Sequence, residues 1–224
     1  MICDLHRRHF ILTASGSALA GLYGTTAMAQ KAAPARPQVI LVLGDSLSAE
    51  YGLARGTGWV ALLEKRLAQE KIAATVVNAS VSGETTSGGR SRLAALLAQH
   101  QPSQVVIELG GNDALRGLPL KNTEENLSWM VQTALKSGAK VLLVGMQVPP
   151  NYGGAYARDF EAMFAKVAKA RQAALVPFLL KGVADAADPT ALFQPDRIHP
   201  SEAAQPALLA NVWPSLARLI GAKA

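Results

Sequence analysis

The chain has 224 residues, half of them hydrophobic and 17% charged, a formal net charge of +6, and one cysteine. That length suits a single domain with a full apolar core. One cysteine excludes an internal disulfide framework, and lysines and arginines scattered with no run of three offer no nucleic-acid-binding patch.

Residues 1–29 read as a cleaved export signal. Arg7 and Arg8 precede Phe10-Ile11-Leu12, a Gly/Ala/Ser-rich apolar run extends to Leu22, and Ala27-Met28-Ala29 forms a small-x-small cleavage site. The pattern resembles a bacterial twin-arginine signal; an ordinary secretory signal and an uncleaved amphipathic anchor are the alternatives. Either signal leads across the membrane, so a periplasmic or secreted protein is expected. No stretch reaches the roughly 20 uninterrupted apolar residues that a stable transmembrane helix needs. Cys3 leaves with the signal, which removes cysteine chemistry from the mature chain. Residues 30–37, with Pro34 and Pro37, form an extended linker to a domain over 38–224.

The first expected element is a strand over 39–43, Val-Ile-Leu-Val-Leu, an apolar run of the kind buried on both faces of a parallel sheet. A Gly-rich turn leads to a helix over 59–71, with Val60, Leu63 and Leu67 inward and Glu64, Lys65 and Gln69 outward. A second strand over 73–77 ends in the small polar loop 78–86, and a helix follows over 91–99. The third strand, 105–109, runs into Gly110-Gly111-Asn112-Asp113. A helix near 123–137 closes at Gly138, a residue suited to a helix C-terminus. Strand 141–146, the Pro/Gly-rich loop 147–154, a helix over 155–171, a short edge strand over 175–180 broken by Pro177, and a helix over 201–219 complete the chain. Strands alternating with helices predict a three-layer α/β/α sandwich around a parallel sheet of about five strands.

In such a sheet Ser46, Gly83 and Asn112, each just past the end of one of the first three strands, come to the same carboxyl edge. His199 enters before the last helix, three residues after Asp196. A serine hydroxyl is a weak nucleophile at neutral pH and needs a base within hydrogen-bond reach and a third group to orient that base. His199 and Asp196 could supply both. Backbone amides of Ser46 and Gly83 and the side-chain amide of Asn112 could stabilise charge on a former carbonyl oxygen. Each residue also has a plainer reading: Asp45 and Ser46 as helix caps, Gly83 as a positive-φ turn, Asn112 as a turn cap, Asp196 and His199 as a surface pair. His100 ends a helix and reads as a cation near its C-terminus. Together, the plainer readings do not account for all of these residues gathering at one edge in that order.

Gly44-Asp45-Ser46-Leu47-Ser48, the Gly83 loop, Gly110-Gly111-Asn112-Asp113 and Asp196-Arg197-Ile198-His199-Pro200 resemble the four motif blocks of the SGNH (GDSL) hydrolases. Asn78-Ala79-Ser80-Val81-Ser82-Gly83-Glu84-Thr85, the run from Glu108 to Gly117, and Pro149-Pro150-Asn151-Tyr152-Gly153 are similar to the bacterial arylesterase branch, which includes a multifunctional acyl-CoA thioesterase/lysophospholipase. The resemblance spans about 38–219. It implies a flavodoxin-like fold, Ser46 as nucleophile, His199 as base, Asp196 as its orienting partner, and Ser46, Gly83 and Asn112 as oxyanion donors. It further implies hydrolysis of small-molecule or lipid carboxylic esters or thioesters without metal or other cofactor, and a loop over 147–156 lying on the acyl chain, with Gln147, Pro149 and Tyr152 touching substrate. A carbohydrate O-acetyl esterase on the same fold and an inactive binding module are the alternatives. Glu50 departs from the branch, where glycine is commoner; a carboxylate four residues past Ser46 could bias the site against anionic substrates, and a solvated side chain is the plainer reading.

Overall fold

The computed structural model describes residues 37–188 and 190–223; the expected export signal lies outside the described residues. Five parallel strands form one sheet: β1 (Gln38–Gly44), β2 (Ala74–Asn78), β3 (Gln104–Glu108), β4 (Lys140–Val144) and β5 (Ala174–Val176), in the order β2-β1-β3-β4-β5. Six α-helices connect and cover them: α1 (Trp59–Gln69), α2 (Thr86–His100), α3 (Gly111–Leu115), α4 (Leu120–Lys136), α5 (Gly154–Arg171) and α6 (Gln205–Ile220). Helix α1 packs on α6, while α2 packs on α4 and α4 on α5, so the sheet lies between two helical layers as the sequence predicts.

β1 lies at the centre of the architecture. It pairs with β2 on one side and β3 on the other, and its residues from Ile40 to Gly44 are buried. A strand covered on both faces has no polar side to alternate, hence the unbroken apolar run. Val60, Leu63 and Leu67 of α1 turn inward as expected, each fully buried leucine contributing about 1.5–3 kcal/mol relative to exposure. β5 is an edge strand and stops before Pro177, shorter than the run over 175–180.

Two further differences from the sequence expectation have identifiable reasons. Helix α2 starts at Thr86, five residues before the apolar spacing becomes helical. Thr85 caps it, its hydroxyl accepting from the Gly88 N–H at 3.3 Å. The glycines that read as loop are packing residues: a Cβ on Gly89 would lie 2.4 Å from Leu109 Cδ1, so glycine lets α2 press against the end of β3. The five-residue helix α3 has no apolar periodicity to announce it. It forms because Gly110, at φ +123°, redirects the chain directly after β3, with the Phe164 ring 3.1 Å from where a Cβ would stand.

Candidate active site

The carboxyl ends of β1, β2 and β3 bring three turns side by side. After β1, Asp45 turns the chain: its Oδ1 accepts from the Leu47 N–H at 3.0 Å and its carbonyl from the Ala49 N–H at 2.9 Å, leaving Ser46 at the sheet edge. After β2, the Ala79 N–H donates to the Val42 carbonyl (2.8 Å) and the Val81 N–H to the Gly44 carbonyl (3.0 Å), so the next loop runs beside the Ser46 turn. Gly83 follows at φ +77°, its carbonyl held by Arg116 Nη2 at 2.7 Å. After β3, Asn112 occupies the first turn of α3 and its side-chain amide donates to Asp45 Oδ2 at 3.0 Å. Asp113, buried below it, accepts from the Thr86 N–H (2.8 Å), the Thr86 hydroxyl and the Thr123 hydroxyl (3.2 Å), tying α3 to α2 and α4.

The fourth component comes from the far end of the chain. Residues 193–200 fold into a pinched turn: the Gln194 N–H donates to the His199 carbonyl (2.8 Å), and Gln194 Nε2 donates to the Tyr51 carbonyl (2.9 Å) and to the Pro200 carbonyl (3.1 Å). Arg197 takes φ +57° at the tip. Within this turn Asp196 Oδ1 accepts from the backbone N–H groups of Ile198 (2.9 Å) and His199 (3.0 Å), and Asp196 Oδ2 lies 2.7 Å from His199 Nδ1. His199 Nε2 is 2.9 Å from Ser46 Oγ. The backbone N–H groups of His199 and Ile198 pull the Asp196 carboxyl down to about 2, so it is ionised and acceptor-only at neutral pH. That assigns the proton to Nδ1 and leaves Nε2 as acceptor for the Ser46 hydroxyl. The Tyr51 ring lies tilted against the imidazole, ring centroids 4.3 Å apart.

Ser46, Asp196 and His199 are therefore one hydrogen-bonded unit, and Gly83 and Asn112 border the same turn. Among the described residues the Ser46 and Gly83 amide N–H groups have no hydrogen-bond partner, and the Asn112 amide uses one of its two hydrogens on Asp45. Donors unspent at a sheet edge are available to a substrate oxygen. Gln147, Pro149 and Tyr152 behave differently: Gln147 is exposed and donates to Glu161 (3.0 Å), Pro149 is exposed, and Tyr152 stacks on Tyr156 at 6.2 Å. None of the three hydrogen-bonds to the Ser46 cluster.

Glu50 is not a free solvated side chain. Its carboxylate accepts from the Gly56 N–H (3.0 and 3.1 Å) and the Gly58 N–H (2.8 Å), and it adopts φ +59°, so it organises the turn before α1. Sequence reasoning placed it outward because the two donors are backbone amides, which leave no trace in residue identity. Burial of Asp45, read from sequence as a helix cap, and of Glu108 is settled only by the fold, although a glutamate closing the apolar run Val105-Val106-Ile107 is a visible signal. No cluster of three metal-ligating side chains occurs among the described residues. Nor is any of their helices long and apolar enough to cross a membrane.

Comparison with known proteins adds an independent line. Residues 42–206 match the model of the GDSL-like lipase/acylhydrolase family. The chain is 50% identical to the esterase TesA of Pseudomonas aeruginosa over 202 residues, 90% of this chain and 98% of that protein. It is 42% identical over 172 residues to thioesterase 1/protease 1/lysophospholipase L1 of Escherichia coli, 77% of this chain and 80% of the relative. A crystal structure of TesA superposes with a TM-score of 0.78 at 53% identity, covering 81% of this chain and 99% of the other. The motif blocks, the parallel sheet that assembles them and the extent of these matches agree, and the chain belongs to the GDSL-like lipase/acylhydrolase family of ester hydrolases.

Proposed function

We propose that the protein hydrolyses carboxylic esters and thioesters through an acyl-enzyme formed on Ser46. The observation that carries this reading is the unbroken line from Asp196 through His199 to Ser46, with links of 2.7 and 2.9 Å. His199 Nε2 takes the hydroxyl proton as Ser46 Oγ bonds to the carbonyl carbon, and the Asp196 carboxylate stabilises the imidazolium through Nδ1. The Ser46 and Gly83 amides and the second hydrogen of the Asn112 amide receive the charge on the carbonyl oxygen. His199 then protonates the departing alcohol or thiol. Water, losing a proton to His199, cleaves the acyl-serine in the second half and regenerates the hydroxyl.

The relatives' names, esterase and thioesterase/lysophospholipase, support small and lipid esters as the substrate class. The loop carrying Gln147, Pro149 and Tyr152 would cover the acyl chain, the half-buried Tyr152 and Tyr156 rings, 6.2 Å apart, offering it apolar surface. Export by the N-terminal signal would set the protein to work in the periplasm or outside the cell, which fractionation and N-terminal sequencing of the mature chain would check. The central test is labelling with a fluorophosphonate followed by peptide mass spectrometry. An adduct on Ser46 that is lost in Ser46→Ala is the expected result, and a wild-type protein that turns over esters without labelling there would overturn the reading. Turnover on p-nitrophenyl acetate, longer acyl esters, acyl-CoA, a lysophospholipid and acetylated xylan ranks the substrates. A strong preference for xylan would replace this assignment with a carbohydrate deacetylase.

A further inference from the structure

Two carboxyl groups are buried directly beneath the Ser46 turn, and the acyl-transfer steps use neither. Asp45 is 2% exposed and Glu108, the last residue of β3, is 3% exposed. β1 and β3 bring Gly44 opposite Glu108, and the missing side chain of Gly44 makes the room: a Cβ there would stand 2.9 Å from Glu108 Oε2 and 2.7 Å from Ser48 Oγ. Into that space Glu108 Oε2 accepts from the Ser48 hydroxyl (2.8 Å) and the Asp45 N–H (3.3 Å), while the Trp59 indole N–H donates to Ser48 Oγ (3.2 Å). Asp45 faces upward from this layer, holding the Asn112 amide and the Leu47 N–H.

No lysine or arginine among the described residues forms an ion pair with either carboxyl. The groups facing them are each other, the Ser48 hydroxyl, which itself accepts from the Trp59 indole, the Asn112 N–H, and His199, whose ring when protonated favours the charged form of Asp45. Two adjacent buried acids without a cation cannot both ionise. Burial, then the charge of Asp45, pushes Glu108 well above the carboxylate range, and burial raises Asp45 to about 6. Glu108 is thus held toward its protonated form, as a donor to the Asp45 carboxyl, which takes the negative charge the more readily of the two. A buried acid pair is a poor way to stabilise a fold, since an apolar residue in that strand position would avoid the desolvation cost.

We infer that Glu108 is a positioning residue for the oxyanion site, its carboxyl holding Asp45 so that Asp45 in turn holds the Asn112 amide with its second hydrogen toward the substrate oxygen. The chain of contacts runs Trp59 to Ser48 to Glu108 to Asp45 to Asn112 and ends at a donor that matters only once negative charge develops. The defect on breaking it belongs in kcat, not in KM. The inference rests on the acyl-transfer reading of Ser46.

The test measures kcat, KM and pH profiles on a p-nitrophenyl ester, with circular dichroism and thermal melts to verify folding. Glu108→Gln, which can still donate and accept, should stay within about 3-fold of wild type. Glu108→Leu should lower kcat by about 10-fold to 100-fold with KM within about 3-fold, approaching the effect of losing one oxyanion donor. It should also move the acidic limb of kcat to higher pH, because Asp45 loses a donor that favours its charged form. Asp45→Ala and Asn112→Ala should be non-additive, the double variant no worse than the poorer single one by more than about 3-fold. Ser48→Ala, which removes the hydroxyl bracing Glu108, should lower kcat by about 3-fold to 10-fold and decides the case if Glu108→Leu does not fold. Wild-type kcat in Glu108→Leu, or in Ser48→Ala when that variant must stand in, or additive losses at Asp45 and Asn112, would overturn the inference while leaving phosphonate labelling of Ser46 intact. Failure of the wild type itself to label would remove both readings together.

Discussion

The two sides of the Ser46 site are held in opposite ways. On one side, Asp45, Glu108, Asn112 and Asp113 belong to the ends of central strands and the short helix after them; Asp45, Glu108 and Asp113 are buried, and each has a partner between 27 and 67 residues away. On the other side, Asp196 and His199 lie three residues apart in a surface turn, with 37% and 16% of their side chains exposed, oriented mainly by amides of the same turn. The carboxyls that brace the Ser46 turn are thus part of the core's polar architecture, whereas Ser46 itself stands at the sheet edge and His199 hangs from a locally braced turn. Damage on the first side should reach folding as well as catalysis, and damage on the second should stay with catalysis.

The sharpest way to break that contrast is to remove the two groups proposed to react. Ser46→Ala and His199→Ala should each lower kcat by about a million-fold while leaving the melting temperature close to wild type, as the site is at the sheet edge; a large drop in Tm would put these residues in the structural core after all. Asp196→Asn should cost about ten-thousand-fold in kcat, by removing the charge that orients His199, again with little change in Tm.

The buried side answers in stability. Asp113→Ala leaves the Thr86 N–H and two threonine hydroxyls without their acceptor and should destabilise the fold by about 3 kcal/mol in denaturant titration; an unchanged midpoint would mean that α3 is not anchored through this carboxylate. The acid pair gives the two sides opposite pH signs. Asp45 and Glu108 have folded-state pKa values raised above their ordinary ones, so their contribution is fully present below about pH 4 and is lost as pH rises through about 6 for Asp45, with Glu108 likewise raised well above its ordinary value. Asp196, held down to about 2, contributes above its ordinary 3.8 and loses that contribution only as pH falls toward 2, a small effect for an exposed group. Unfolding of wild type and Glu108→Gln between pH 4 and 8 should show the wild type losing stability faster as pH rises; parallel curves would count against a buried, protonated Glu108. The smallest expected effect is at Glu50, where Glu50→Ala should cost about 1 kcal/mol through the lost bonds to Gly56 and Gly58, with kcat near wild type.

Much of this site is legible without coordinates, for a specific reason. Ser46, Gly83 and Asn112 each follow a strand, and the carboxyl edge of a parallel sheet is a place that topology alone defines. Asp196 and His199 are close in sequence, so their pairing needs only one turn of backbone. The positions of Gln147, Pro149 and Tyr152 relative to Ser46 are not legible in that way, because a loop rich in proline and glycine has neither periodicity nor a strand end to place it.

The α/β class, the parallel sheet and the motif order were decided by local pattern: apolar runs that only a doubly covered strand can bury, amphipathic stretches between them, and polar turns where strands stop. Folding alone decided what the glycines and buried acids are for. Gly89 is a helix residue because Leu109 presses on it, Gly44 is bare because Glu108 needs the space, and Glu50 turns inward because two amides face it. The physical reason is common to all three. Close packing and the satisfaction of buried polar groups depend on partners distant in the chain or on unannounced backbone amides, and a one-dimensional reading contains neither.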